Sequence, residues 1–133
     1  MEISIATVVA ALVNMVIGML WYSPLLFGKL WMKASGKEEK DMKKGSGMGK
    51  VYAMAFVGSF IMAFVLSRFI AISSAKTIQD GALVGFWAWL GFIIPVSLSG
   101  YLFEGKSRNL TLINGGYYLV VLMVMGAILS FWG

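Results

Sequence analysis

Long apolar runs separated by short polar ones dominate this chain. Four stand out, at about Ile3–Tyr22, Val51–Ile72, Ala82–Phe103 and Leu110–Trp132. At 1.5 Å of helix rise per residue, each is long enough to cross a hydrocarbon core of about 30 Å. The first three carry at most one charged residue each and the fourth carries none. Backbone groups in lipid must be satisfied inside a helix or a closed barrel, and these runs are too long and unbroken for barrel strands. The pattern predicts an all-α fold, an integral membrane four-helix bundle forming one domain over residues 1–133. Trp21, Tyr22, Tyr52, Tyr101 and Trp132 gather near the run ends, where an apolar ring with a polar tip suits the interface. The first run has no basic n-region and ends in Trp21-Tyr22-Ser23-Pro24 rather than a small-x-small site. It reads as a retained helix, not a signal peptide.

The polar stretch 23–50 has internal structure of its own. Pro24 ends the first span, because its ring cannot continue a helix and the residue before it avoids the α region. From Leu25 to Ala34 the pattern is amphipathic at helical spacing: Leu26, Phe27, Leu30, Trp31 and Ala34 make one face, and Lys29, Lys33 and Lys37 another. This predicts a short helix in the headgroup plane, with Lys29 and Lys33 toward anionic lipid. A cytoplasmic extension of the first span packed on protein is the alternative. Gly36 is a natural stop, and residues 37–44 mix both signs, as a solvated turn or linker does. Gly45-Ser46-Gly47-Met48-Gly49-Lys50 is glycine-rich but lacks the Gly-x-x-x-x-Gly-Lys-Ser/Thr order and a preceding strand. It reads as a flexible linker rather than a phosphate cradle.

Composition narrows the class. Hydrophobic residues make up 59% of the chain and charged ones 13%, against roughly 45–50% and 25% in soluble domains. A domain of 133 residues in water cannot bury that much apolar surface, which excludes a soluble enzyme and a nucleic-acid module. The sequence contains no Cys and no His, so disulfides, thiol chemistry, imidazole bases and most transition-metal sites are excluded. No cofactor or metal is expected. The net charge of +5 is unevenly placed. Seven lysines follow the first span (Lys29, Lys33, Lys37, Lys40, Lys43, Lys44 and Lys50), and Lys106 and Arg108 follow the third. The other side has Arg68 and Lys76. Positive residues stay inside, so the loop 23–50 is expected in the cytoplasm and both termini on the non-cytoplasmic side of a prokaryotic inner membrane.

Small residues at helical spacing mark faces where helices approach closely in lipid. The third span has Gly81, Gly85, Ala88, Gly91 or Phe92, Pro95 and Ser99; the second has Ala55, Ser59, Ala63 and Ser67; the first has Thr7, Ala11, Asn14 and Gly18. Pro95 cannot donate to the Gly91 carbonyl, so a kink is expected near Gly91–Pro95. Polar residues within the spans are few. Asn14 lies near the middle of span one and Asn114, Gly115, Gly116, Tyr117 and Tyr118 in the inner half of span four. Depth arithmetic at 1.5 Å per residue sets Asn14 level with Tyr118, and Asn114 level with Gly18. Direct packing of spans one and four is therefore expected, with Asn14, Gly18, Asn114 and Tyr118 forming a polar cluster. These groups serve either as interhelical glue or as the lining of a site. Leu26-Phe27-Gly28-Lys29 and Leu102-Phe103-Glu104-Gly105-Lys106 also hint at an internal duplication related by an axis along the membrane normal.

The string Trp21-Tyr22-Ser23-Pro24-Leu25-Leu26-Phe27-Gly28-Lys29-x-Trp31-Met32 is specific for a membrane protein. Together with Tyr101-Leu102-Phe103-Glu104-Gly105 and Asn114-x-Gly116-Tyr117, it resembles the bacterial and archaeal family called domain of unknown function 1761. The resemblance covers essentially the whole chain. It implies a small four-helix integral membrane protein and no particular activity. It also draws attention to an inner-interface motif of Trp21, Tyr22, Ser23, Pro24, Trp31 and Glu104.

Three functional classes follow. A homo-oligomer forming a binding site or permeation pathway for a small solute or lipid fits the kinked third span and the polar cluster; four spans rarely enclose a pathway alone. An accessory or scaffold protein, packing against another membrane protein or organising anionic lipid, fits the absence of embedded carboxylates and the basic loop. An enzyme fits least, because no nucleophile–base pair stands out and no residue is singled out as catalytic. The expected partners are membrane lipids, further copies of the chain or another membrane protein, with no nucleic acid.

Overall fold

The computed structural model describes residues 4–23, 25–35 and 48–132. Pro24, Gly36 and the mixed-charge stretch 37–47 lie outside the described residues. All regular structure among the described residues is helical: α1 (Ile5–Trp21), α2 (Gly28–Ser35), α3 (Met48–Ser73), α4 (Ile78–Ala88), a π-helical turn (Trp89–Ile93), α5 (Ile94–Phe103) and α6 (Arg108–Trp132). The segments α4, π turn and α5 run on as one helix, Ile78–Phe103. Three helices are long and apolar enough to cross a membrane: Gly49–Ser73, Ile78–Phe103 and Arg108–Trp132. The fourth, α1, is apolar but has 17 residues, about 25 Å of helix.

Each start has a local cause. The Ser4 side chain caps α1 by accepting from the Thr7 N–H at 3.2 Å, and Thr77 caps α4 by accepting from the Asp80 N–H at 3.0 Å. Both satisfy amides that a helix start leaves unpaired. The three residues Met48–Lys50 of the glycine-rich stretch open α3. The helix expected over Leu25–Ala34 begins later, at Gly28, because Leu25–Phe27 are taken up by the reversal after α1.

The hub of the bundle is α6. It packs most extensively on α4 and also contacts α1, α2 and α3, while α1 fits between α3 and α6. Ile113, Tyr117 and Val121 lie on one side of α6 and Leu122, Gly126 and Ser130 on the other, so α1 and α4 occupy different faces. The core joins Ala6, Ala10 and Ala11 of α1, Ala63, Leu66 and Ile70 of α3, and Val121, Leu122, Met125 and Leu129 of α6. The face of span one read from small residues is thus an internal one, with Thr7, Ala11 and Asn14 all buried. On α3, Ser59 and Ala63 are buried whereas Ala55 is exposed.

Glycine sets the α4–α6 distance. A Cβ at Gly81 would overlap the Gly126 carbonyl oxygen, one at Gly85 the Leu122 carbonyl oxygen, and one at Gly126 the Gly81 carbonyl oxygen. The upper half of the span-three stripe is therefore used within one chain. Below it the helix changes course. The Ile94 N–H reaches back five residues to the Trp89 carbonyl, and Pro95 sits in the first turn of α5. Near Gly91–Pro95, where a kink is expected, the helix has a π turn, which lets the chain accommodate a residue with no N–H and a ring pressing on the carbonyl four residues back. Gly91 within this turn and Pro95 and Ser99 past it are exposed.

Candidate functional site: an aromatic and amide cluster at one end of the bundle

A tight reversal after α1 assembles the first half of the cluster. The Ser23 carbonyl accepts from the N–H groups of Leu26 (3.1 Å) and Gly28 (2.9 Å), and the Trp21 carbonyl accepts from Phe27 (2.9 Å). The Ser23 hydroxyl donates back to the Leu20 carbonyl at 2.7 Å. A Cβ on Gly28 would lie 2.5 Å from the Tyr22 carbonyl oxygen, so the turn requires glycine there. Folding back brings the Phe27 ring to 4.7 Å from Trp21 and sets Trp31 edge-on to Tyr22 at 5.8 Å, both favourable aromatic geometries.

The other half comes from α6. The Trp21 indole N–H donates to the Ile113 carbonyl at 3.0 Å, and the Trp89 indole N–H donates to the Gly115 carbonyl at 2.8 Å. Each carbonyl has a second lone pair beyond the one its helix uses. Gly116 leaves the space for this approach, since a Cβ there would stand 3.1 Å from the Trp21 ring. The Tyr22 hydroxyl donates to Asn114 Oδ1 at 2.6 Å. The Tyr117 hydroxyl donates to Asn14 Oδ1 and lies 3.2 Å from the Asn14 carbonyl. The Asn14 amide in turn faces Met62 Sδ at 3.9 Å. The Tyr117 ring lies 5.4 Å from Tyr22 and 5.0 Å from Tyr118.

α1 and α6 pack directly, as expected of the first and fourth apolar runs, but the individual pairs differ from those expected. Asn14 meets Tyr117 rather than Tyr118. Gly18 lies under the Tyr117 hydroxyl, 3.0 Å from where its Cβ would be, rather than under Asn114, which pairs with Tyr22. One residue is a 100° rotation on a helix, and depth arithmetic is blind to rotation. Trp21, Tyr22, Ser23 and Trp31 of the inner-interface motif all fall in this region. Glu104 does not; it is exposed at the end of α5, 3.9 Å from Lys106 Nζ. Lys29 and Lys33 are exposed on α2. Trp31 and Tyr22 bind α2 to the bundle end, and α2 also contacts α6, while Leu25, Leu26 and Leu30 stay exposed.

Trp89 and Met62 were not anticipated. A usable signal exists for Trp89: an indole well inside an apolar span carries an N–H that needs an acceptor. Among the described residues, no buried side-chain nitrogen or oxygen lacks a partner. Within the cluster Tyr22 pairs with Asn114, Tyr117 with Asn14, and the Trp21 and Trp89 indoles with carbonyls of α6.

A family model described as "Protein of unknown function (DUF1761)" matches residues 5–130. The chain belongs to this family. No curated protein and no solved structure matches it. The matched stretch contains the whole cluster, from Asn14 to Tyr118.

Proposed function

We propose that this protein is a non-enzymatic membrane protein, a homo-oligomer that binds a lipid or small apolar solute from within the bilayer rather than conducting through an aqueous path. The observation that carries this reading is a contrast. Among the described residues no buried side-chain nitrogen or oxygen lacks a hydrogen-bond partner, whereas a groove of about 290 Å³ between α3 and the π turn is lined by apolar residues including Met62, Val65, Phe69, Phe92 and Leu122. Small-molecule sites are mostly apolar concavities of this order of size. The exposed Gly91, Pro95 and Ser99 support self-association, since small residues let a second helix come close.

The reading includes four spans. α1 shares its core with α3 and α6, which holds it at their depth, and 17 residues reach the lower limit for a crossing. Lys29, Lys33, Lys106 and Arg108 mark the cluster end as cytoplasmic by their charge. The second reading, an accessory protein that organises anionic lipid or packs on another membrane protein, is favoured by exposed Leu25, Leu26 and Leu30 beside exposed Lys29 and Lys33.

Two measurements test this. Liposomes carrying the purified protein and a trapped small solute should release it no faster than empty ones; specific release would restore the pathway reading. Single cysteines at Lys106 and Lys76, clean because the parent has none, should label from opposite faces in intact cells, with only Lys76→Cys reached from outside. The reverse pattern would invert the topology.

A further inference from the structure

We infer that the groove between α3 and the π turn holds one acyl chain of a phospholipid whose phosphate is bound by Arg68. This rests on the binding reading above and names its ligand.

The groove and the cation belong to one helix. Met62, Val65 and Phe69 of α3 form one wall, Ala88 and Phe92 the other, and Leu122 of α6 the floor. Val65 is 43% exposed and Phe92 64%, so the groove opens sideways, toward hydrocarbon if α3 and Ile78–Phe103 cross the bilayer. Its residues on α3 cover about 10 Å of helix axis. A lining of this kind accepts methylenes and offers a headgroup nothing, so any polar part of the ligand has to lie outside the lining.

Arg68 flanks the groove, between the lining residues Val65 and Phe69 along α3 and outside the lining itself. It follows Val65 by three residues, which makes the two neighbours on the helix surface, and it stands five residues before the end of α3 at Ser73, about 7.5 Å. It is half-buried. Among the described residues it has no hydrogen-bond or ion-pair partner. A guanidinium at this depth is costly unless it reaches an anion or water, and its fork of donors matches a phosphate. Groove and cation together therefore describe a phospholipid, its chain in the groove and its phosphate at the flank.

Size argues against a second copy seated in the groove. A helix with its side chains is 10–12 Å across, so about 290 Å³ would hold less than one turn of it. An extended hydrocarbon chain is far thinner than a helix and can lie in the groove over part of its length.

The test uses the full chain purified in mild detergent, with phosphatidylglycerol or an uncharged diacylglycerol of the same chains added and retention read by native mass spectrometry. The parent should keep one phosphatidylglycerol per chain. Arg68→Gln should weaken that retention by about tenfold, the effect of losing a charge-assisted hydrogen bond, and leave diacylglycerol unchanged. Val65→Trp, which fills the groove from its open side, should weaken both lipids. Should Val65→Trp fail to fold, Phe92→Ala removes a wall at an exposed ring and should do the same. Retention that is absent in the parent, unchanged in Arg68→Gln, or unchanged in the groove variant overturns the inference. If every variant keeps its lipid, this site is wrong while the binding reading stands; if solute escapes from the liposomes, it is that reading that fails.

Discussion

Gly85→Leu should separate α4 from α6 and cost about 3 kcal/mol or more, the upper end of what overpacking does in a filled core. A Cβ at position 85 already overlaps the Leu122 backbone, and backbone cannot swing away as a flexible side chain can. Unfolding in mixed micelles, titrated with denaturing detergent, reads the effect. Gly58→Leu is the control, because a Cβ at Gly58 meets nothing within 4 Å, and it should be close to neutral. If Gly85→Leu instead abolished an oligomer while the chain stayed folded, the Gly81–Gly85 face would lie between subunits, contrary to its packing on Gly126 and Leu122.

Trp21→Ala should be the next most damaging change, at about 3 kcal/mol, as for other large aromatic truncations. It removes the ring that Phe27 packs on and the donor to Ile113, so it loosens α1, α2 and α6 together. Trp21→Phe keeps a ring against Phe27 and loses only the donor, at about 1 kcal/mol. The same titration measures both. Equal effects of the two substitutions would mean that the aromatic packing contributes nothing.

How far the sequence leads can be judged from these residues. Helices were legible because apolar runs of span length leave the backbone no other solution in lipid. The contact of spans one and four was legible because hydrogen-bonding groups at matched depth have few partners to choose from. Which tyrosine meets Asn14 was not, since Tyr117 and Tyr118 share nearly one depth and differ by rotation, which is fixed by packing of the whole helix. The small-residue stripe was legible as a close contact, but spacing alone does not say whether the neighbour is α6 or another chain. Pro95 announced an irregularity, yet not that a π turn would carry the Trp89 indole to the Gly115 carbonyl. The helix after the first apolar run begins at Gly28 because Leu26, Phe27 and Gly28 donate their N–H groups to Ser23 and Trp21 in the reversal, a turn geometry invisible to periodicity.

On the proposed reading the aromatic and amide cluster is a closed internal lock and not the wall of a water-filled passage. Gly115 is the position from which to ask, because it is buried in the cluster, its carbonyl takes the Trp89 indole, and a Cβ there meets nothing within 4 Å. A cysteine at Gly115 in proteoliposomes should therefore resist charged thiol reagents applied to either face, while a cysteine at exposed Lys33 reacts from one. Rapid modification of Gly115→Cys from either side would show water reaching the cluster and contradict the account.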